Sequence, residues 1–105
     1  MAVNNNNIVG FICALPSVDK KCYFIWQVVV DMNFRGREIA HLLVDCIIKE
    51  STLNGYQKIE FSINPENMSS FRLFKRIAVD KGKSFNIVDQ YTYEDISENV
   101  YAITF

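Results

Sequence analysis

An α+β fold with a mixed, mostly antiparallel sheet and two helices, in the order β-β-α-β-α-β-β, follows from three features of this sequence. Apolar, β-prone runs open and close the chain. Two central segments carry apolar residues at helical spacing. Each of those segments ends on a glycine, Gly55 or Gly82, suited to the left-handed turn that stops a helix. With 105 residues the chain has material for one domain, 1–105, and one modest core.

The elements follow in order. Residues 1–7 hold the run Asn4–Asn7 and read as a flexible polar leader. Ile8–Ala14 is apolar and predicts a strand. Leu15–Lys21, with Pro16, Ser17 and Asp19, reads as a hairpin turn centred near Ser17 and Val18. Cys22–Val30 is rich in β-branched and aromatic residues and predicts a strand covered on both faces. Asp31–Gly36 is a break. Ile39, Leu42, Leu43, Cys46 and Ile47 then share one helical face, which predicts a helix from Arg37 to Leu53. Lys58–Ile63 alternates, with Ile59, Phe61 and Ile63 on one side, and predicts a strand. Asn64–Asn67 forms a capping loop. Met68–Lys81 predicts a helix with Phe71, Phe74, Ile77 and Ala78 inward. Phe85–Tyr91 and Asn99–Phe105 predict two last strands, joined by the acidic stretch Thr92–Glu98.

Composition excludes several classes. Half the residues are hydrophobic and 22% are charged, the balance of a globular protein rather than a disordered chain. The net charge of −1 gives nucleic-acid binding no electrostatic support. No apolar run reaches the roughly 18 residues that span a bilayer. The N-terminus lacks the basic-then-apolar order of a signal peptide, so a cytoplasmic location is expected. Three cysteines, Cys13, Cys22 and Cys46, include no Cys-x-x-Cys pair. A Cys13–Cys22 bridge would need the two to sit opposite in the first hairpin. One histidine, His41, and no Cys/His cluster leave a metal centre little to build on.

The chemistry concentrates where the second strand feeds a short loop and then a helix. Gly36 stands between Arg35 and Arg37 at the start of that helix. A helix N-terminus presents unpaired N–H groups and partial positive charge. Glycine permits close approach of a phosphate, and arginine forks match its oxygens. The segment therefore reads as a pyrophosphate cradle. The alternative is a simple turn with solvated arginines.

Three blocks of residues together carry a family resemblance: Phe24-Ile-Trp-Gln-Val-Val-Val30; Arg35-Gly36-Arg37 with the helix behind it; and Asn64-Pro-Glu-Asn-Met-Ser-Ser-Phe-Arg-Leu-Phe74. Glu98 ahead of Asn99-Val-Tyr-Ala-Ile103 adds to them. From Ile8 onward the chain resembles the GNAT acetyltransferases. Within that family it is similar to the branch that acetylates small diamino acids such as L-2,4-diaminobutyrate on the route to ectoine. The resemblance implies acetyl-coenzyme A as co-substrate, a primary amine as acceptor and no metal.

The resemblance also implies roles. Backbone N–H groups of Val28, Val29 and Val30 would hold the thioester carbonyl and pantetheine arm. The coenzyme loop would comprise Asn33, Arg35, Gly36, Arg37, Glu38 and Ile39. Asn67, Ser70 and Phe74 would line the coenzyme arm, with Asn67 equally suited to cap its helix. Trp26, Gln27 and Glu98 are the acceptor-site candidates. Strand alternation puts Trp26 and Gln27 on opposite faces unless a bulge intervenes. Glu98 is the candidate catalytic base or counter-ion for the amine; otherwise it is a surface acid beside Glu94 and Asp95.

Three departures stand out. The strand and two helices with which such domains normally begin are not recognisable here. Glu38 occupies a position usually Gly or Ala; its plain role is an acid in the first helical turn. Phe74 stands where many members carry a tyrosine that protonates the leaving thiolate. Two functions are therefore weighed: a competent acetyltransferase, and a truncated or degenerate domain that binds coenzyme A weakly, or a protein partner, without turnover. A structural interaction module is a third. An apolar edge at Ile8–Ala14 further predicts a homodimer.

Overall fold

The computed structural model describes residues 2–4, 7–34 and 38–105. The strands are β1 (Ala2–Asn4), β2 (Asn7–Ser17), β3 (Cys22–Val30), β4 (Lys58–Ile63), β5 (Ser84–Tyr93) and β6 (Ile96–Thr104). The helices are α1 (Ile39–Leu53) and α2 (Met68–Lys81), and a 3-10 turn covers Met32–Phe34. Among the described residues the strands form one six-stranded sheet in the spatial order β1-β2-β3-β4-β6-β5. Only the β3–β4 pair is parallel; the other pairs are antiparallel. This is the expected α+β order with one short strand added in front.

Both helices lie on the same face. The register sets Tyr23 beside Ile59 and Ile25 beside Phe61, and Ile59 and Phe61 beside Ile103 and Tyr101. Ile25, Ile59, Phe61, Tyr101 and Ile103 join Val44 and Ile48 of α1 and Phe74, Ile77 and Ala78 of α2 in one core cluster. Gly10 brings α1 close. A Cβ there would lie 2.9 Å from the Val29 carbonyl and 3.3 Å from Ile39 Cγ2. Away from the helices, Glu60 is buried, with Nζ of Lys58 at 3.0 Å and of Lys20 at 3.6 Å.

Several boundaries and faces differ from the sequence reading. Within the expected leader 1–7, Ala2–Asn4 form β1, paired antiparallel with Asn7–Gly10. Ile8–Ala14 is therefore partly covered and is no open edge along its whole length. Leu15–Ser17 belong to β2, not to the turn, which falls at Val18–Lys21. Pro16 is tolerated because β2 beyond Gly10 has no described neighbour on its outer side. Cys13 pairs with Gln27 and Cys22 with Ser17, so these cysteines are not opposite each other, and all three thiols are free.

The acidic stretch Thr92–Glu98, expected as a connector, is largely ladder. Tyr91 pairs with Glu98, Thr92 with Ser97 and Tyr93 with Ile96, leaving a tight turn at Glu94, which takes φ 54°. The side-chain oxygens of Thr92 and Ser97 meet at 3.3 Å. Cross-strand pairing outweighs the acidic composition here. In α1 the buried side is Leu43, Val44, Ile48 and Ser51, while Leu42 and Cys46 are exposed. Outside the polar stripe of His41, Asp45, Lys49 and Thr52 the helix is broadly apolar, so periodicity alone does not choose between neighbouring faces. Ser51 is accommodated by donating to the Lys58 carbonyl at 3.1 Å.

Candidate active site

The site is built by a fault in the sheet. Cys13 pairs with Gln27 and Ala14 with Ile25, so Trp26 is an extra residue on β3 with no partner on β2. On the other side of β3 the parallel ladder to β4 ends at Ile25–Phe61. Beyond that point Trp26–Val30 and the end of β4 have no ladder between them, and β4 continues alone against β6. The opening is a cleft of about 840 Å³.

Its walls come from four elements. Trp26, Gln27, Val28 and Val30 of β3 form one wall, and Phe61 and Ser62 of β4 face them. Glu38, Ile39, Ala40 and His41 bring the N-terminus of α1 to the cleft, with Phe34 beside them. Asn67, Ser69, Ser70, Leu73, Phe74 and Arg76 add the first two turns of α2 and the start of the third. Trp26 and Gln27 both line the cleft, as do their neighbours Ile25 and Val28, so the edge of β3 borders it along this stretch. Trp26 is exposed there rather than buried in the core.

Backbone chemistry suits the cleft to an extended anionic ligand. The first turn of α1 holds no acidic side chain, and Glu38 at its N-cap makes no side-chain capping hydrogen bond. The first N–H groups of an α-helix have no acceptor within it, and the residues at this helix start, Glu38 to His41, line the cleft. Glu38 takes φ 60°, the left-handed region that a residue with a Cβ reaches at a cost of about 1 kcal/mol. Its carboxylate is ion-paired with Arg76 of α2. That pairing raises the Arg76 pKa further above its already high ordinary value.

Other candidates fall in different places. Asn67 caps α2, its Oδ1 accepting from the Ser70 N–H at 3.2 Å, and still borders the cleft. Phe74 is buried at the base of the cleft, stacked on Phe61. Val29 does not line it; it pairs with Phe11 on β2. Asn33 sits in the 3-10 turn, its N–H donating to Asp31 Oδ1 at 2.9 Å, also outside the lining. Glu98 lies on β6 opposite Tyr91 and outside the lining. Its Oε2 is buried and accepts no hydrogen bond among the described residues. Arg35, Gly36 and Arg37 lie outside the described residues.

Sequence reading alone gave Arg76 and Ser62 no role, and considered His41 only as a metal ligand. The His41 ring stands between two carboxylates, Asp45 of α1 at 3.7 Å and Asp80 of α2 at 3.8 Å. Arg76 Nε reaches the same Asp80 at 3.5 Å, and Lys81 reaches Asp45 at 2.8 Å. These contacts join α1 to α2 across one wall of the cleft. Only Asp45 and Asp80, each at an i+4 step from a cleft residue, hint at this in the sequence.

Comparison with known proteins agrees with this geometry. The profile of the Acetyltransferase (GNAT) family matches residues 1–78. The chain is 30% identical over 97 residues to the L-2,4-diaminobutyric acid acetyltransferase of Marinococcus halophilus, covering 91% of this chain and 56% of that protein. It is 35% identical over 72 residues to the enzyme of the same name from Chromohalobacter salexigens, covering 68% of this chain and 38% of that protein. The chain thus spans about half the length, or less, of these curated relatives. Among solved structures it superposes on diaminobutyrate acetyltransferase EctA from Paenibacillus lautus, in complex with L-2,4-diaminobutyric acid and coenzyme A. That match has a TM-score of 0.76 and 28% identity, over 97% of this chain and 66% of the other. Nourseothricin acetyltransferase shares the fold at a TM-score of 0.79 and 12% identity, over 96% of this chain and 60% of the other. With its split β3–β4 pair and the N-terminus of α1 at the opening, the chain belongs to the GNAT acetyltransferase family.

Proposed function

We propose that this chain moves the acetyl group of acetyl-coenzyme A to a primary amine of a small diamino acid such as L-2,4-diaminobutyrate. The observation that carries the reading is the bulge at Trp26 with the parting of β3 from β4, which opens the cleft beside the N-terminus of α1. The relatives' names supply the acceptor class.

The reaction joins amine nitrogen to acetyl carbon and breaks the carbon–sulfur bond, leaving a coenzyme thiolate that takes up a proton. The amine must first lose one, since free alkylamines titrate near pH 10 or above. Free strand edge along Val28–Val30 suits the pantetheine arm and the thioester carbonyl. The α1 N-terminus suits the pyrophosphate, and Arg35 and Arg37 precede it in sequence. Trp26 and Gln27 form the acceptor wall. Glu98 serves as counter-ion or base for a cationic amine, a role supported by its buried, unpartnered oxygen. Phe74 has no hydroxyl, so thiolate protonation falls to another group or to water.

A cytoplasmic location is part of the proposal, in keeping with three free thiols. So is a homodimer. Its support is the open edge strand β5 and the exposed Ile87, Val88, Tyr91, Tyr93 and Ile96 beside it. Sedimentation at micromolar concentration checks it, a monomer ruling it out.

The second reading, coenzyme or partner binding without turnover, is favoured by one observation: a carboxylate, Glu38, at the mouth where phosphate would sit. Calorimetry with acetyl-coenzyme A, followed by an acetylation assay on 2,4-diaminobutyrate, separates the two. Turnover that Glu98→Gln abolishes without loss of coenzyme binding establishes the first. Binding without turnover establishes the second. No binding at millimolar coenzyme rejects the first and leaves only the partner-binding form of the second.

A further inference from the structure

Glu38 and Arg76 come from different helices and face one another across the mouth of the cleft, which both of them line. Glu38 is the N-cap of α1, yet its side chain leaves the helix N–H groups alone and turns to Arg76. Both side chains remain more than half exposed, 60% for Arg76 and 56% for Glu38. An exposed pair of this kind is cheap to break. A guanidinium fork binds phosphate at least as well as carboxylate, with two parallel charge-assisted hydrogen bonds. Asp80 Oδ2 lies 3.5 Å from Nε of the same guanidinium, while Glu38 meets its terminal nitrogen.

We infer that Arg76 is a phosphate-binding residue of the coenzyme site and that Glu38 is its resident counter-ion, displaced when a coenzyme phosphate arrives. The inference rests on the coenzyme reading above. It makes Glu38 a competitor rather than a ligand: its carboxylate occupies the fork in the free protein and repels the incoming phosphate. The phosphate belongs either to the pyrophosphate bridge or to the 3′-phosphate of the coenzyme, and both present the same chemistry to the fork.

Calorimetric titration of coenzyme A and of 3′-dephospho-coenzyme A at low salt tests this on the wild type, Glu38→Gln, Arg76→Gln and Arg76→Lys. Both positions are exposed, and circular dichroism checks that each variant keeps the fold. Expected results are a roughly tenfold loss for Arg76→Gln, partial recovery with Arg76→Lys, and a gain of about three- to tenfold for Glu38→Gln. If the Arg76→Gln loss is the same for both ligands, the pyrophosphate is the partner. If it vanishes with the dephospho form, the 3′-phosphate is. Binding to Glu38→Gln but not to the wild type also supports the inference. Wild-type binding that neither Arg76→Gln nor Glu38→Gln alters overturns it and leaves the coenzyme reading standing. Absence of binding by the wild type and by Glu38→Gln overturns both.

Discussion

Phe61 of β4 and Phe74 of α2 stack with ring centroids 3.7 Å apart and planes 14° from parallel. Both rings are buried, and both also form the base of the cleft, so core and site share this contact. Phe74→Ala is expected to cost about 3–5 kcal/mol. Phe74→Leu, closer in volume, should cost less. Urea midpoints of the two variants measure this; a Phe74→Ala midpoint equal to the wild type would show that the stack carries no stability.

Gly10 sets how closely α1 approaches the sheet. A methyl group there meets a backbone oxygen at 2.9 Å, and backbone cannot swing away as a flexible side chain does. Gly10→Ala should destabilise the protein by about 1–3 kcal/mol. It should also weaken coenzyme binding, because Val29, Ile39 and Leu43 are the groups displaced and Ile39 lines the cleft. A stable variant with unaltered binding would mean that α1 has slack the present packing does not suggest.

Asn67 holds two positions at once, the N-cap of α2 and the cleft wall. Asn67→Ala should lose about 1 kcal/mol of stability with the cap. Asn67→Asp keeps the cap and adds a negative charge beside the cleft. Its stability should match the wild type while its affinity for coenzyme A falls. Equal affinity for Asn67→Asp and wild type would remove Asn67 from the site.

Cys22 gives the protein a pH dependence whose sign is fixed. Burial first, and the negative charge of Glu60 second, push its thiol above the ordinary value of 9.0. The folded chain therefore favours the neutral thiol, while the unfolded chain ionises near 9.0. The stabilising contribution is complete below that pH and is lost as pH rises toward the folded-state value. Urea midpoints of the wild type should fall more steeply above pH 9 than those of Cys22→Ala. Parallel curves would show that other groups cause the decline. In the same pH range iodoacetamide should modify the exposed Cys46 well before Cys22.

Legibility of the fold and of the site differed along the chain. Met68–Lys81 reads directly from its periodicity, its Asn67 cap and its terminal Gly82, and Lys58–Ile63 from strict alternation. Both signals are local and both survive folding unchanged. The β5–β6 hairpin was harder, because acidic residues at Glu94, Asp95 and Glu98 resemble a loop until Tyr91, Thr92 and Tyr93 find partners across the turn. The buried face of α1 was illegible for the opposite reason: too many apolar residues leave several faces equally good. Of the residues that line the cleft, Trp26, Gln27, Glu38, Asn67 and Phe74 were named through the family resemblance, and Arg76 was not. Its pairing with Glu38 is a contact 38 positions away in sequence.

Element type and order were in the primary structure, since helical and strand periods, caps and stops act over a few residues. Which residues meet was decided by tertiary pairing. Trp26 goes unpaired only because β2 skips a residue of β3. The cleft exists only because β4 leaves β3 after Phe61 to follow β6. Glu38 meets Arg76 only because both helices pack on the same face of that sheet. Register, bulges and helix placement arise from packing between segments far apart in the chain, and no local pattern encodes them.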